Sequence, residues 1–115
     1  MKEIIPNFWL PKNRYYELKY HCLQYEYWNK IISSARTISD EESVNYHRSL
    51  VNRYHLEKSI LSVNCSFHDI LTDCVTHGLS YKKLQEKYGS DMPDKTTFYD
   101  AYRAFFYFLD KAKGI

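Results

Sequence analysis

The sequence predicts an all-α protein, and three observations carry that expectation. Only three glycines and three prolines interrupt the 115 residues, so few positions oppose a helix. Apolar residues recur at spacings of three and four over long stretches. Residues that cap helix ends stand at the borders of those stretches.

Residues 1–11 read as an extended arm, because Pro6 and Pro11 oppose a continuous helix. Ile4, Ile5, Phe8, Trp9 and Leu10 are then expected to pack on the body or on a partner. A first helix is expected over residues 12–34, with Tyr16, Tyr20, Leu23, Tyr27 and Ile31 as one stripe. Leu18, Cys22, Tyr25, Trp28 and Ile32 widen it. Residues 33–39 read as loop, and Ser39 with Glu42 as a capping box. The second helix, residues 40–63, carries Val44, His47, Val51, Tyr54, Lys58 and Leu61 as its seam, thickened by Leu50 and Ile60. Two such helices joined by a short loop make an antiparallel hairpin, although the same pattern also suits pairing between chains.

Ser66 with Asp69 reads as a second capping box, opening a third helix through Phe67, Ile70, Leu71, Cys74 and Val75 to Gly78. Ser80 caps a short fourth helix with Tyr81, Leu84 and Tyr88 inward, closed by Gly89. After the turn at residues 90–93, Asp94 is the N-cap of a fifth helix. Its core face holds Phe98, Tyr102, Phe105 or Phe106, and Leu109. The expected division is an arm and hairpin over residues 1–64 and a three-helix unit over residues 65–115, packed as one compact body.

Composition narrows the function. A mean hydropathy of -0.58 suits a water-soluble chain. No apolar run approaches the ~20 residues that span a bilayer. The N-terminus lacks the apolar core of a secretory signal. Cys22, Cys65 and Cys74 form an odd set without disulfide-framework spacing, as expected in a reducing cytoplasm. Net charge is only +2. Residues 1–77 carry nine basic against nine acidic side chains and residues 78–115 seven against five, so the excess lies wholly in the C-terminal third. Twelve tyrosines and six phenylalanines suit either a hydrogen-bonded core or a tyrosine-rich interface.

That C-terminal third has the layout of a helix-turn-helix, whose second helix can enter a DNA major groove. Leu84 and Tyr88 would anchor the first helix, Gly89 the turn, and Phe98 and Tyr102 the second helix. Lys95, Thr96, Thr97, Tyr99 and Arg103 would face outward. Thr97, Tyr99 and Arg103 are the expected base readers, and Lys82, Lys83, Lys87 and Lys95 the expected phosphate contacts. An ordinary three-helix subdomain with a polar surface has the same pattern. Asp100 and Asp110 on the same helix oppose phosphate, and the turn is longer than usual.

From about Tyr15 to Leu109 the chain resembles small phage-encoded regulators of the ArpU/RinA type from phages and prophages of Gram-positive bacteria. The residues that carry the likeness are the tyrosine-rich run 15–20 with 25–28, then Gly78, Leu79, Ser80, Tyr81 and Leu84. Thr97, Phe98, Tyr99, Arg103 and the run 105–109 complete it. The resemblance implies a C-terminal helix-turn-helix similar to the promoter-reading region of sigma factors. It also implies activation of late phage genes by binding double-stranded promoter DNA in the cytoplasm of a bacterial host.

Cys65 with His68 and Cys74 with His77 have half-site spacing for zinc. On a continuous helix, however, the two pairs point to roughly opposite faces, so buried cysteines and satisfied or exposed histidines are expected. His21 beside Cys22 is no catalytic pair, since neighbouring helix positions diverge by ~100°. Glu41 with Glu42 and Asp69 with Asp73 fit helix N-terminal turns. No phosphate loop or nucleophile elbow is present, so no enzyme, cofactor or metal is expected. The aromatic run 105–108 leaves a homodimer or partner interface open. The competing reading is a phage-encoded module that binds a host protein, such as RNA polymerase or a defence nuclease.

Overall fold

The computed structural model describes residues 10–113. Among them the chain is all-α: α1 (Lys12–Cys22), α2 (Tyr25–Ser34), α3 (Ile38–Glu41), α4 (Val44–Ser62), α5 (His68–His77), α6 (Tyr81–Tyr88) and α7 (Lys95–Ala112). A 3-10 turn at Gly89–Asp91 precedes α7. The expected arm lies outside the described residues as far as Trp9. Leu10 packs partly buried against the core, and the Pro11 carbonyl accepts the Tyr15 N–H at 3.0 Å to start α1.

The expected single helix over residues 12–34 is broken at Leu23 and Gln24. There the Leu23 N–H bonds to Tyr20 O at 3.2 Å and the Gln24 N–H to His21 O at 3.1 Å, a tightened turn that ends α1. Neither glycine nor proline marks the break. Burial follows from it: Leu18 and Cys22 of α1 and Trp28 of α2 enter the core. Tyr16, Tyr20, Leu23 and Tyr27, the expected core stripe, are exposed instead.

The second expected helix also divides. Thr37 rather than Ser39 forms the capping box, accepting the Asp40 N–H at 3.0 Å while Asp40 accepts the Thr37 N–H at 3.2 Å. Ser43 then caps α4 through the Tyr46 N–H at 3.1 Å. α4 buries Ser49, Leu56, Ser59 and Ile60, whereas Val44, Val51, Tyr54 and Leu61 of the expected seam face solvent. Small serines let the neighbouring helices approach closely. Ser59 satisfies its own hydroxyl on His55 O at 2.7 Å, so its burial leaves no open donor. α2 and α4 run antiparallel: Tyr25 donates to Glu57 at 2.5 Å and Arg53 to Asn29 at 3.0 Å. The hairpin is therefore α2 with α4, while α1 turns aside onto α7 and α5.

α5 starts at His68, and the expected Ser66–Asp69 box does not form: Phe67 holds the N-cap without a side-chain bond. The His68 ring instead meets Val63 O at 2.7 Å. The remaining end signals act as expected. Gly78, at φ 67, closes α5, with its N–H on Cys74 O at 2.8 Å. Ser80 accepts the Lys83 N–H at 3.2 Å, and Asp94 accepts the Thr97 N–H at 3.1 Å.

α7 is the hub of the molecule. It buries Phe98, Ala101, Ala104, Phe105, Phe106 and Leu109, packs along α4 and α1 and sets Phe98 against Phe67 and Tyr81, and Arg14 Nε donates to Asp110 at 2.6 Å. One hydrophobic core runs from Leu18 to Leu109, drawing on both halves of the chain. Among the described residues no helix is long and apolar enough to cross a membrane.

Candidate nucleic-acid interface

The N-termini of α6 and α7 meet at Tyr81. The Tyr81 hydroxyl donates to Pro93 O at 2.7 Å, tying the start of α6 to the loop that leads into α7. Its ring lies edge-on to Phe98 at 5.5 Å and tilted against Tyr99 at 6.1 Å. Lys95 Nζ sits 5.9 Å from the same ring centroid, within reach of a cation–π attraction. Neither α6 nor α7 has an acid in its first turn. Both first turns carry lysine instead: Lys82 and Lys83 in α6, Lys95 in α7.

A helix N-terminus is already the positive end of the backbone dipole, and acids normally neutralise it. Lysines there add to the positive potential. Lys82 and Lys83 are exposed and form no ion pair among the described residues. Asp94, the N-cap of α7, has its carboxylate occupied by the Thr97 hydroxyl at 2.6 Å and the Thr97 N–H. Those bonds hold it below the usual carboxylate range. The result is a compact basic edge built on two helix starts.

Lys87, the fourth expected phosphate contact, points elsewhere. Its Nζ donates to Asp73 of α5 at 2.6 Å. Tyr88 donates to the same carboxylate oxygen at 2.8 Å, and His77 Nδ1 meets the other at 2.8 Å. Burial raises the Asp73 pKa, but the bonds from Lys87, Tyr88 and His77 outweigh it and leave the carboxyl below its ordinary value. The bond to Asp73 raises Lys87 in turn. Lys87 is thus committed to holding α6 on α5.

The three expected base readers do not share a face. Thr97 lines a groove of about 420 Å³ beside Val63, Phe67, Ala101 and Phe108. Tyr99 lines a cleft of about 260 Å³ with Tyr15, Lys19, Tyr81, Tyr102 and Phe106. Residues two apart on a helix diverge by about 200°, so Thr97 and Tyr99 fall on opposite flanks of α7. Arg103 is exposed on the Tyr99 side, where it donates to Asp100 at 2.7 Å. Tyr102, between these flanks, bonds Tyr15 hydroxyl to hydroxyl at 2.7 Å; burial and that bond raise its pKa strongly. The joint at Tyr81 and the contribution of Lys19 from α1 were not foreseen, because both depend on contacts between residues far apart in sequence.

The cysteine and histidine pairs take separate partners. Cys74 donates to Leu79 O at 3.2 Å, His68 meets Val63 O, and His77 lies between Asp73 and Glu26. Among the described residues no group of three or more His, Cys, Asp or Glu side chains is arranged to hold a metal ion. Burial pushes the Cys22 and Cys74 thiols up to about 12, so at neutral pH they stay protonated and weakly nucleophilic. Burial, with Lys113 and Arg14 nearby, lowers His21 to about 4.

Comparison with protein-family models, curated proteins and solved structures finds no match to this chain.

Proposed function

We propose that this protein binds double-stranded DNA through the basic edge at Tyr81, as a transcriptional regulator of the phage or prophage kind. The observation that carries the reading is the convergence of two helix starts whose first turns hold Lys82, Lys83 and Lys95 and no acid, the Asp94 N-cap of α7 being taken up by Thr97. Backbone dipoles and ammonium groups there attract the same ligand, a phosphate oxygen. Tyr99 and Arg103 stand beside that edge as base readers, and Thr97 does so only from the opposite flank of α7. The chemistry is recognition without turnover, needing no cofactor.

The test is electrophoretic mobility on duplex DNA from upstream of the protein's own gene. The native protein should shift the duplex, and the Lys82→Ala, Lys83→Ala, Lys95→Ala variant should not. Equal shifts by both would refute the assignment.

A second reading, a module that binds a host protein such as RNA polymerase or a defence nuclease, draws on different residues. Tyr16, Tyr20, Leu23 and Tyr27 are exposed along α1 and α2, and tyrosine is enriched in protein interfaces. Loss of host-protein capture in Tyr20→Glu, with duplex binding intact, would favour it.

A further inference from the structure

α4 keeps its core contacts on one side and presents an unbroken stripe on the other. Val44, His47, Val51, Tyr54, Lys58 and Leu61 alternate at spacings of three and four, the a and d positions of about two and a half heptads. All six are exposed: Val44 is 65%, Val51 51%, Tyr54 57% and Leu61 71% accessible, and His47 and Lys58 lie open between them. The opposite positions of the heptad, Ser49, Leu56 and Val63, are all buried. The seam therefore points directly away from the body of the chain.

We infer that this seam pairs with the same seam of a second copy of the chain, the two α4 helices running parallel. Residue chemistry selects both the occupant and the direction. Valine, β-branched, fills two of the three a positions, as in parallel two-stranded pairs, while the d positions hold His47, Tyr54 and Leu61. Lys58 holds the remaining a position. In a parallel pair it packs beside the g position of the facing helix, which is Glu57, and the contact occurs twice by symmetry. An antiparallel pair that sets Val44 on Leu61 and Val51 on Tyr54 would instead set Lys58 on His47.

Both members of the charge pair are exposed. Lys58 Nζ lies 5.6 Å from the Tyr54 ring centroid, along the seam rather than away from it. Glu57 is exposed, and one of its carboxylate oxygens accepts from the Tyr25 hydroxyl of α2 at 2.5 Å. The helix is already fixed by α2 and α7, so association need not pay again for ordering it. At 19 residues the seam is short, and a reversible dimer in the micromolar range is expected rather than an obligate one.

Sedimentation equilibrium of the full chain without DNA, over roughly 1–300 µM, tests this independently of the DNA reading. A monomer–dimer equilibrium is expected. Val51→Glu should weaken it at least ~30-fold by burying an unpaired charge, with circular dichroism unchanged because Val51 lies outside the core. Lys58→Leu should tighten it about tenfold. Val44→Cys should cross-link between copies on mild air oxidation, as only the parallel arrangement brings the two positions together. A monomer throughout the range, or a dimer indifferent to Val51→Glu, would overturn the inference. A dimer that Val44→Cys does not cross-link would overturn its parallel direction.

Discussion

Lys87 Nζ donates to Asp73 Oδ2 at 2.6 Å, across the junction between α6 and α5. The same carboxylate serves Tyr88 and His77, so one largely buried acid organises three donors. Asp73→Ala should cost about 1–3 kcal/mol, since it leaves those donors without their acceptor. Chemical denaturation of the variant checks this.

Lys87 and Lys83 lie on one short helix yet should separate by assay. Lys87→Ala should lower the melting temperature and leave duplex affinity near native at temperatures where the protein stays folded. Lys83→Ala should do the reverse. Thermal unfolding followed by duplex titration of the two variants makes the comparison.

His77 gives a pH dependence of stated sign. Hydrogen bonds to the carboxylates of Glu26 and Asp73 raise its pKa above 6.5. A raised folded-state value means stability fully present below pH 6.5 and lost as pH rises through the folded value. The side chain is nearly half exposed, so solvent screening keeps the effect small. The melting temperature of the native protein should exceed that of His77→Gln below pH 6.5, with the gap closing as pH rises through the folded value.

His21 acts in the opposite sense. It lies 4.8 Å from the Trp28 ring, with Lys113 Nζ 3.4 Å from its Nε2. Burial, aided by Lys113 and Arg14, lowers it to about 4 from 6.5. The unfolded chain therefore takes up the proton first, and stability should fall as pH drops from 6.5 through about 4. His21→Phe should flatten that part of the acid denaturation curve, as read by circular dichroism.

Gly78 closes α5 at φ +67, and a Cβ there would lie 3.2 Å from Leu23 Cδ2. Gly78→Ala should cost about 1–2 kcal/mol for a left-handed non-glycine residue. Denaturant unfolding measures it.

How much of this was legible in sequence depended on distance along the chain. The caps at Ser80 and Asp94 and the closure at Gly78 act over three or four residues, and each was readable. The faces of α1, α2 and α4 were not. Tyr16, Tyr20, Leu23 and Tyr27 have the spacing of a core stripe, as do Val44, Val51, Tyr54 and Leu61, yet all are exposed. Periodicity marks which residues share a face and is silent on what covers it. The true face of α4 was obscured by Ser49 and Ser59, polar by type but buried because they are small. In the candidate site, the bond from Lys87 to Asp73 was not readable because the two lie 14 residues apart. The divergence of Thr97 from Tyr99 was open to simple helical geometry.

Fluorescence anisotropy on random-sequence and native upstream duplexes, at roughly 50 and 200 mM salt, tests the central proposal most directly. The native protein should bind the upstream duplex more tightly and weaken steeply with salt. Neutralising Lys82, Lys83 and Lys95 together should reduce the salt slope by about 2–3. Absence of binding at either salt, or a slope unchanged by the triple variant, would contradict DNA recognition at the Tyr81 junction.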